Sequence, residues 1–138
     1  MIDFAAIREG LKANLMRIPD FQISAYMLDA PTPPTIQVMG PDEVTYDLTF
    51  GRGSDSWQVV VQAFVADVSD IGGQMRLDQM LHPTGPLSIK EAIESDTTLG
   101  GACSDLRVTT ASGYRQYQLP NRGPVLGAEW QVQVETSN

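Results

Sequence analysis

One cysteine and one histidine are all that this chain of 138 residues offers for thiolate and imidazole chemistry. A lone thiol forms no internal disulfide, which agrees with a reducing compartment. One Cys with one His also falls short of a structural zinc set. Basic residues are scarce as well, nine against seventeen acids. They form no cluster and have no interleaved aromatics, whereas a groove that neutralises phosphates needs Lys and Arg in excess. The net charge of −8 therefore argues against reading of nucleic acid, although an acidic surface can lie beside DNA by repelling it. No apolar run approaches the ~18 residues of a membrane span. The N-terminus carries Asp3, Arg8 and Glu9 where a signal peptide is basic and then apolar. The expectation is a soluble protein made in a cytoplasm, without membrane contact.

What is present is an ordinary globular composition. Hydrophobic residues at 42% and charged residues at 19% suit one packed core, and a chain of this length buries about two thirds of its unfolded surface. No internal repeat, low-complexity tract or long linker divides it, so residues 1–138 read as a single domain.

Periodicity places the elements. Phe4, Ile7, Leu11, Leu15 and Ile18 recur at helical steps, which predicts an amphipathic helix over Asp3 to Arg17, closed by Pro19. Alternation predicts a strand over Phe21 to Leu28, broken by the proline-rich "DAPTPPT". A short strand from Thr35 to Met39 follows. After "GPDE", a second runs through Val44, Tyr46, Leu48 and Phe50, and Trp57 to Ala66 is apolar enough to be covered on both faces. Ile71 to His82 reads as a helix with Met75, Leu77, Met80 and Leu81 on one stripe, and Ser88 and Glu91 have capping-box spacing before a short helix ending near Asp96. Three strands close the chain, Ala102 to Ala111, Tyr114 to Leu119 and Val125 to Glu135, separated by "SG" and "PNRGP". The expected class is α+β, one mainly antiparallel sheet flanked by two or three helices. Strands apolar on both faces imply that helices cover one face and a second layer or a partner subunit covers the other.

Each candidate for chemistry has a plainer reading. Cys103 would need a base such as His82, but nothing around it resembles a nucleophile turn, and a free cysteine in a strand packs as a small hydrophobe. Asp67, Ser69 and Asp70 lack the ligand spacing of an EF-hand, and Ser69 and Asp70 suit helix capping. Glu91, Glu94 and Asp96 fit a cap and a solvated helix end rather than an acid–base pair. The loop "GRGSDS" lacks the Lys-Ser/Thr end of a phosphate-binding loop. It reads either as a solvated turn or as a subunit or tube contact carried by Arg52, Ser54 and Asp55. The expectation is a non-enzymatic chain with no catalytic residue, metal or cofactor.

The order of an N-terminal helix, a proline-rich break, "GRGSDSWQVVVQAFV", "RLDQML", "GPLSIKEAIESDTTLGG" and "VLGAEWQVQV" resembles the tail terminator, or tail-completion, proteins of long-tailed bacteriophages. The resemblance covers nearly the whole chain and is most specific over Gly51 to Trp57 and Ser88 to Gly101. It implies an α/β subunit that assembles as a homohexameric ring in the virion, at the head-proximal end of the tail. Such a ring stops growth of the tail tube protein and docks to the head-tail connector or stopper protein, while DNA passes through without specific binding. It implies neither catalysis nor a cofactor. Six copies at −8 each would discourage DNA from sticking in the pore. Other ring components, namely a stopper, a head-completion protein or a tail tube subunit, share much of the pattern. A monomeric binding module and a small cysteine-dependent enzyme are the readings from other classes.

Overall fold

The structure, a computed structural model, describes residues 3–28, 31–48, 50–67, 71–119 and 123–137, and of residues 66 and 67 the backbone alone. Helix α1 (Phe4–Leu15) starts where the Asp3 carboxylate accepts the Ala5 amide at 3.0 Å, a side-chain cap on an otherwise unpaired donor. Its stripe of Ile7, Leu11 and Leu15 is wholly buried. The chain continues through β1 (Gln22–Ser24), β2 (Thr35–Thr45), β3 (Ser54–Asp67), α2 (Ile71–Met80) and α3 (Ile89–Ile93). A 3₁₀ turn at Leu99–Gly101 leads into β4 (Asp105–Leu119) and β5 (Gly123–Ser137).

The sheet has the order β1-β2-β3-β5-β4. β1 runs parallel to β2, and every other neighbouring pair is antiparallel, so the α+β class holds with a mixed sheet. All three helices pack on one face: α1 against β1, β2 and α3, α2 against β3 and β5, and α3 against β4. Beneath them, Val59, Val61, Ala63 and Val65 of β3 alternate into one core with Ala128, Trp130, Val132 and Val134 of β5. Each fully buried aliphatic side chain there contributes about 1.5–3 kcal/mol. Among the described residues no buried side-chain nitrogen or oxygen lacks a hydrogen-bond partner, so this core carries no polar penalty.

Several boundaries depart from the sequence reading. The strand expected over Phe21 to Leu28 pairs only at Gln22–Ser24, because Ser24 Oγ captures the Tyr26 amide at 3.1 Å and the Leu28 amide turns to the Gln37 side chain. The strands expected on either side of "GPDE" are one strand, β2, which passes through Gly40 and Pro41 by two register shifts. The "SG" expected to end a strand is a bulge within β4, so three closing strands are two. In α2, Met75 faces solvent and Leu77 and Met80 face the core. The cap residues proposed for that helix, Ser69 and Asp70, lie outside the described residues, as does the Asp67 side chain.

The second face of the sheet is polar, where an apolar face was expected. Gln58 and Gln62 of β3 pair across the strands with Gln133 and Glu129 of β5, alternating with the core valines. Gln37 Nε2 donates to Gln62 Oε1 at 3.0 Å, Gln62 Nε2 to Glu129 Oε1 at 3.5 Å, and Tyr117 Oη reaches the same carboxylate at 3.3 Å. This row crosses four strands. Phe64, the large apolar side chain on this face, is covered from within: it lies over Gly127, where a Cβ would come within 2.8 Å of the ring, and meets Tyr117 edge-on at 5.4 Å. Val60, half-buried between Gln58 and Gln62, is a second apolar side chain of β3 on this face.

Candidate functional site at the hairpin tip

Exposed large apolar side chains occur at several places, among them Met16, Tyr26 to Leu28, Ile71, Met75 and Tyr114, and three fall on one loop. Tyr46, Leu48 and Phe50, expected from the sequence to continue a strand from Val44, lie beyond the end of β2 at Thr45, and all three are exposed at the β2–β3 tip. Phe50 is 108% exposed, more than in an extended chain. The tip is nevertheless built. Leu48 N donates to Ser54 O at 2.7 Å, and the Asp47 amide donates to the Asp55 carboxylate at 3.0 Å. Asp47 and Arg52 adopt left-handed backbone, with φ of 53° and 61°, and Gly53 continues it. The two bonds tie the backbone of Asp47 and Leu48 to the start of β3.

Of the three residues singled out in the "GRGSDS" loop, the structure separates the roles. Ser54 opens β3 opposite Ser137, and Asp55 sits in β3 opposite Thr136 with its carboxylate organising the tip. Arg52 projects from the tip itself, exposed. The two carboxylate-bearing residues thus differ: Asp55 is committed inside the loop, while Asp47 is exposed. Asp47, Leu48, Phe50 and Arg52 line a shallow concavity of about 400 Å³. Sequence reasoning missed Asp47 and placed the apolar residues in a strand; the signal available was three large apolar residues within reach of a glycine-rich turn.

The candidates for chemistry are tied into the fold. Cys103 is buried and its thiol donates to Thr97 O at 3.4 Å. Burial, reinforced by the nearby Asp105 and Asp96 carboxylates, pushes the thiol up to about 11, which favours the protonated form near neutrality. His82 is exposed, and its carbonyl accepts the Ser88 hydroxyl at 2.6 Å. Ser88 Oγ caps α3 by accepting the Glu91 amide at 3.1 Å, but the Glu91 carboxylate accepts from Gly85 N rather than closing the box. Glu94, expected to face water, is half-buried and accepts the Val108 amide and the Lys90 ammonium, which joins α3 to β4. Asp96 is exposed; bonds from the Thr98 amide and hydroxyl, and from Gly100 N, hold its carboxyl below the usual range. Among the described residues no group of three or more His, Cys, Asp or Glu side chains is placed to hold a metal ion. No described helix is long and apolar enough to cross a membrane.

No family model matches the chain, and the search of curated proteins finds no similar sequence.

Proposed function

We propose that this chain is a structural assembly protein of the tail-terminator type. In this reading it forms a ring, six-fold by the resemblance of its motifs, that caps the head-proximal end of a bacteriophage tail tube, stops tube growth and docks to the head connector. The observation that carries an assembly role is the hairpin tip, where Tyr46, Leu48 and Phe50 are exposed on a loop whose backbone is tied by hydrogen bonds at Asp47 and Leu48. Large apolar side chains grouped in solvent mark an interaction surface. The polar second face and the net charge of −8 suit a wall past which DNA slides, since they offer phosphates no array of cations.

Both free strands argue against the tail tube subunit as the identity. A tube wall built by edge-to-edge strand pairing needs regular edges. β4, at one edge, has irregularities at Val108/Thr110 and Ser112/Arg115, and beyond β1 the edge of β2 has two register shifts and Pro41. A stopper ring is the alternative to be separated by experiment.

The test is electron microscopy of the purified full chain in negative stain, followed by its addition to tail tube protein during elongation. Rings that seat on one end of the tubes and halt their growth are expected. Rings that bind head connectors but leave tube growth unchanged would identify a stopper instead. A chain that forms no rings and leaves tubes unaffected would refute the proposal.

A further inference from the structure

We infer that the β2–β3 tip is a contact between copies of this chain, in which Arg52 of one copy pairs with Asp47 of the next across an apolar centre of Leu48 and Phe50. The inference rests on the assembly reading for the size of the oligomer, but not for the contact itself. Its ground is the self-complementary chemistry of the tip. Arg52 and Asp47 flank the same concavity, yet among the described residues the one ion pair is Lys90 with Glu94, and neither tip charge has a side-chain partner. An interface between identical copies requires that each surface supply what the other lacks. A tip carrying one base, one acid and an apolar centre meets that requirement with itself.

The other carboxylate at the tip, Asp55, has a bond within the loop: its Oδ1 accepts the Asp47 amide, which ties the loop presenting both partners. The concavity of about 400 Å³ has room for a neighbour's aromatic ring, and Phe50 is the ring that stands free. Two aromatics and a leucine present on the order of 400 Å² of apolar surface, about half of what one partner contributes to a standard interface. The tip is thus the anchor of a contact whose remainder lies on neighbouring surface, in the way that a few central residues carry most of an interface.

Sedimentation of the full chain over a dilution series reads the contact. Arg52→Asp and Asp47→Arg are each expected to weaken self-association by roughly tenfold or more, because each sets like charges together. An equimolar mixture of the two variants should recover the wild-type association, since each then supplies the charge that the other lacks. Phe50→Ser should weaken association without altering charge. Protection of the Leu48 amide from hydrogen exchange reports that the tip keeps its form. If Asp47→Arg loses that protection, Asp47→Asn takes its place, being at ease in left-handed backbone; combined with Arg52→Gln it should weaken association no further than either change alone.

A wild-type chain that stays monomeric, reversals that leave association unchanged, or a mixture that fails to recover it with the Leu48 amide protected would each overturn the inference. Failure of the assembly reading looks different. Discrete dimers abolished by the reversals would uphold the contact and refute the ring, whereas rings persisting in both variants would uphold the ring and refute the contact.

Discussion

Gly10→Ala is the substitution for which the sequence and the structure predict opposite signs. Gly10 sits in the middle of α1, where glycine costs about 0.8–1.0 kcal/mol relative to alanine, so helix propensity alone predicts that the change stabilises. In the fold, however, a Cβ on Gly10 would stand 2.6 Å from Leu99 Cβ and 3.3 Å from Leu99 O. The obstructing atom belongs to the stem of the side chain, which cannot rotate away, and Leu99 is buried with φ of 51°, so its backbone has little freedom to retreat. Overpacking of this kind costs about 1–3 kcal/mol, which outweighs the propensity gain over most of that range. The expected net loss is up to about 2 kcal/mol, or roughly 3–5 °C in Tm per kcal/mol for a domain of this size. Leu99→Gly removes the obstructing Cβ and relieves the left-handed strain, at the cost of the leucine's burial. The double variant should then be more stable than the sum of the single changes by about 1–2 kcal/mol. Urea unfolding followed by tryptophan fluorescence measures all four proteins, with Trp57 stacked on Phe4 and Trp130 buried as reporters. A higher midpoint for Gly10→Ala, or strict additivity in the cycle, would refute the assigned packing of the Leu99 turn on α1.

Other perturbations discriminate between roles. Asp55→Ala should cost about 0.5–1.5 kcal/mol and expose the Asp47 amide to exchange, whereas Arg52→Ala should stay within about 0.5 kcal/mol of wild type in the same measurements. Equal effects would remove the distinction between an organising carboxylate and a free guanidinium. Trp130→Ala should cost about 3–5 kcal/mol in thermal unfolding, and Trp57→Ala less, because Trp57 is only half-buried. Reversed ranking would show that the core lies elsewhere. Cys103 should resist a thiol reagent in the folded state near pH 8. Its folded value of about 11 lies above the ordinary 9.0, so the folded state holds this proton more tightly. That contribution to stability is complete below pH 9 and is lost as pH rises from 9 through about 11. Cys103→Ala should remove this part of the alkaline decline, and an unchanged profile would contradict the assignment.

The chain's legibility varies with how local the deciding interaction is. The α1 stripe, the Ser88 cap and the inward alternation of β5 follow from spacing alone, and the structure has them within a few residues of expectation. Where the reading failed, a non-local competitor decided. Tyr46, Leu48 and Phe50 alternate like a strand, but Asp55 draws the Asp47 amide and Leu48 N bonds Ser54, so the backbone turns before the pattern can be used. Gln37, Gln62 and Glu129 are polar residues in strands, which sequence cannot assign to a solvated face or to a bonded row until the register brings them side by side. Alternation likewise cannot reveal that Phe64 is covered by a tyrosine from another strand and accommodated by Gly127.

The candidate site shows the same division. Composition narrowed the chemistry through one cysteine, one histidine and few basic residues, and the loop holding Arg52, Ser54 and Asp55 was visible as a polar, glycine-bearing break. Its internal division of labour was not visible, because Asp47 and Asp55 are equivalent in charge and differ only in which backbone amide lies within reach.

By itself, then, the sequence determined the class of fold, the helix-covered face and the scarcity of reactive side chains, because each depends on periodicity or on counts of residue types. Tertiary structure alone decided that a bonded polar row crosses the second face, that Cys103 is a buried thiol held by Thr97 O, and that Tyr46, Leu48 and Phe50 stand exposed at one tip. Those outcomes depend on which strands lie side by side and which amide a carboxylate reaches, quantities that exist only once the chain has closed on itself.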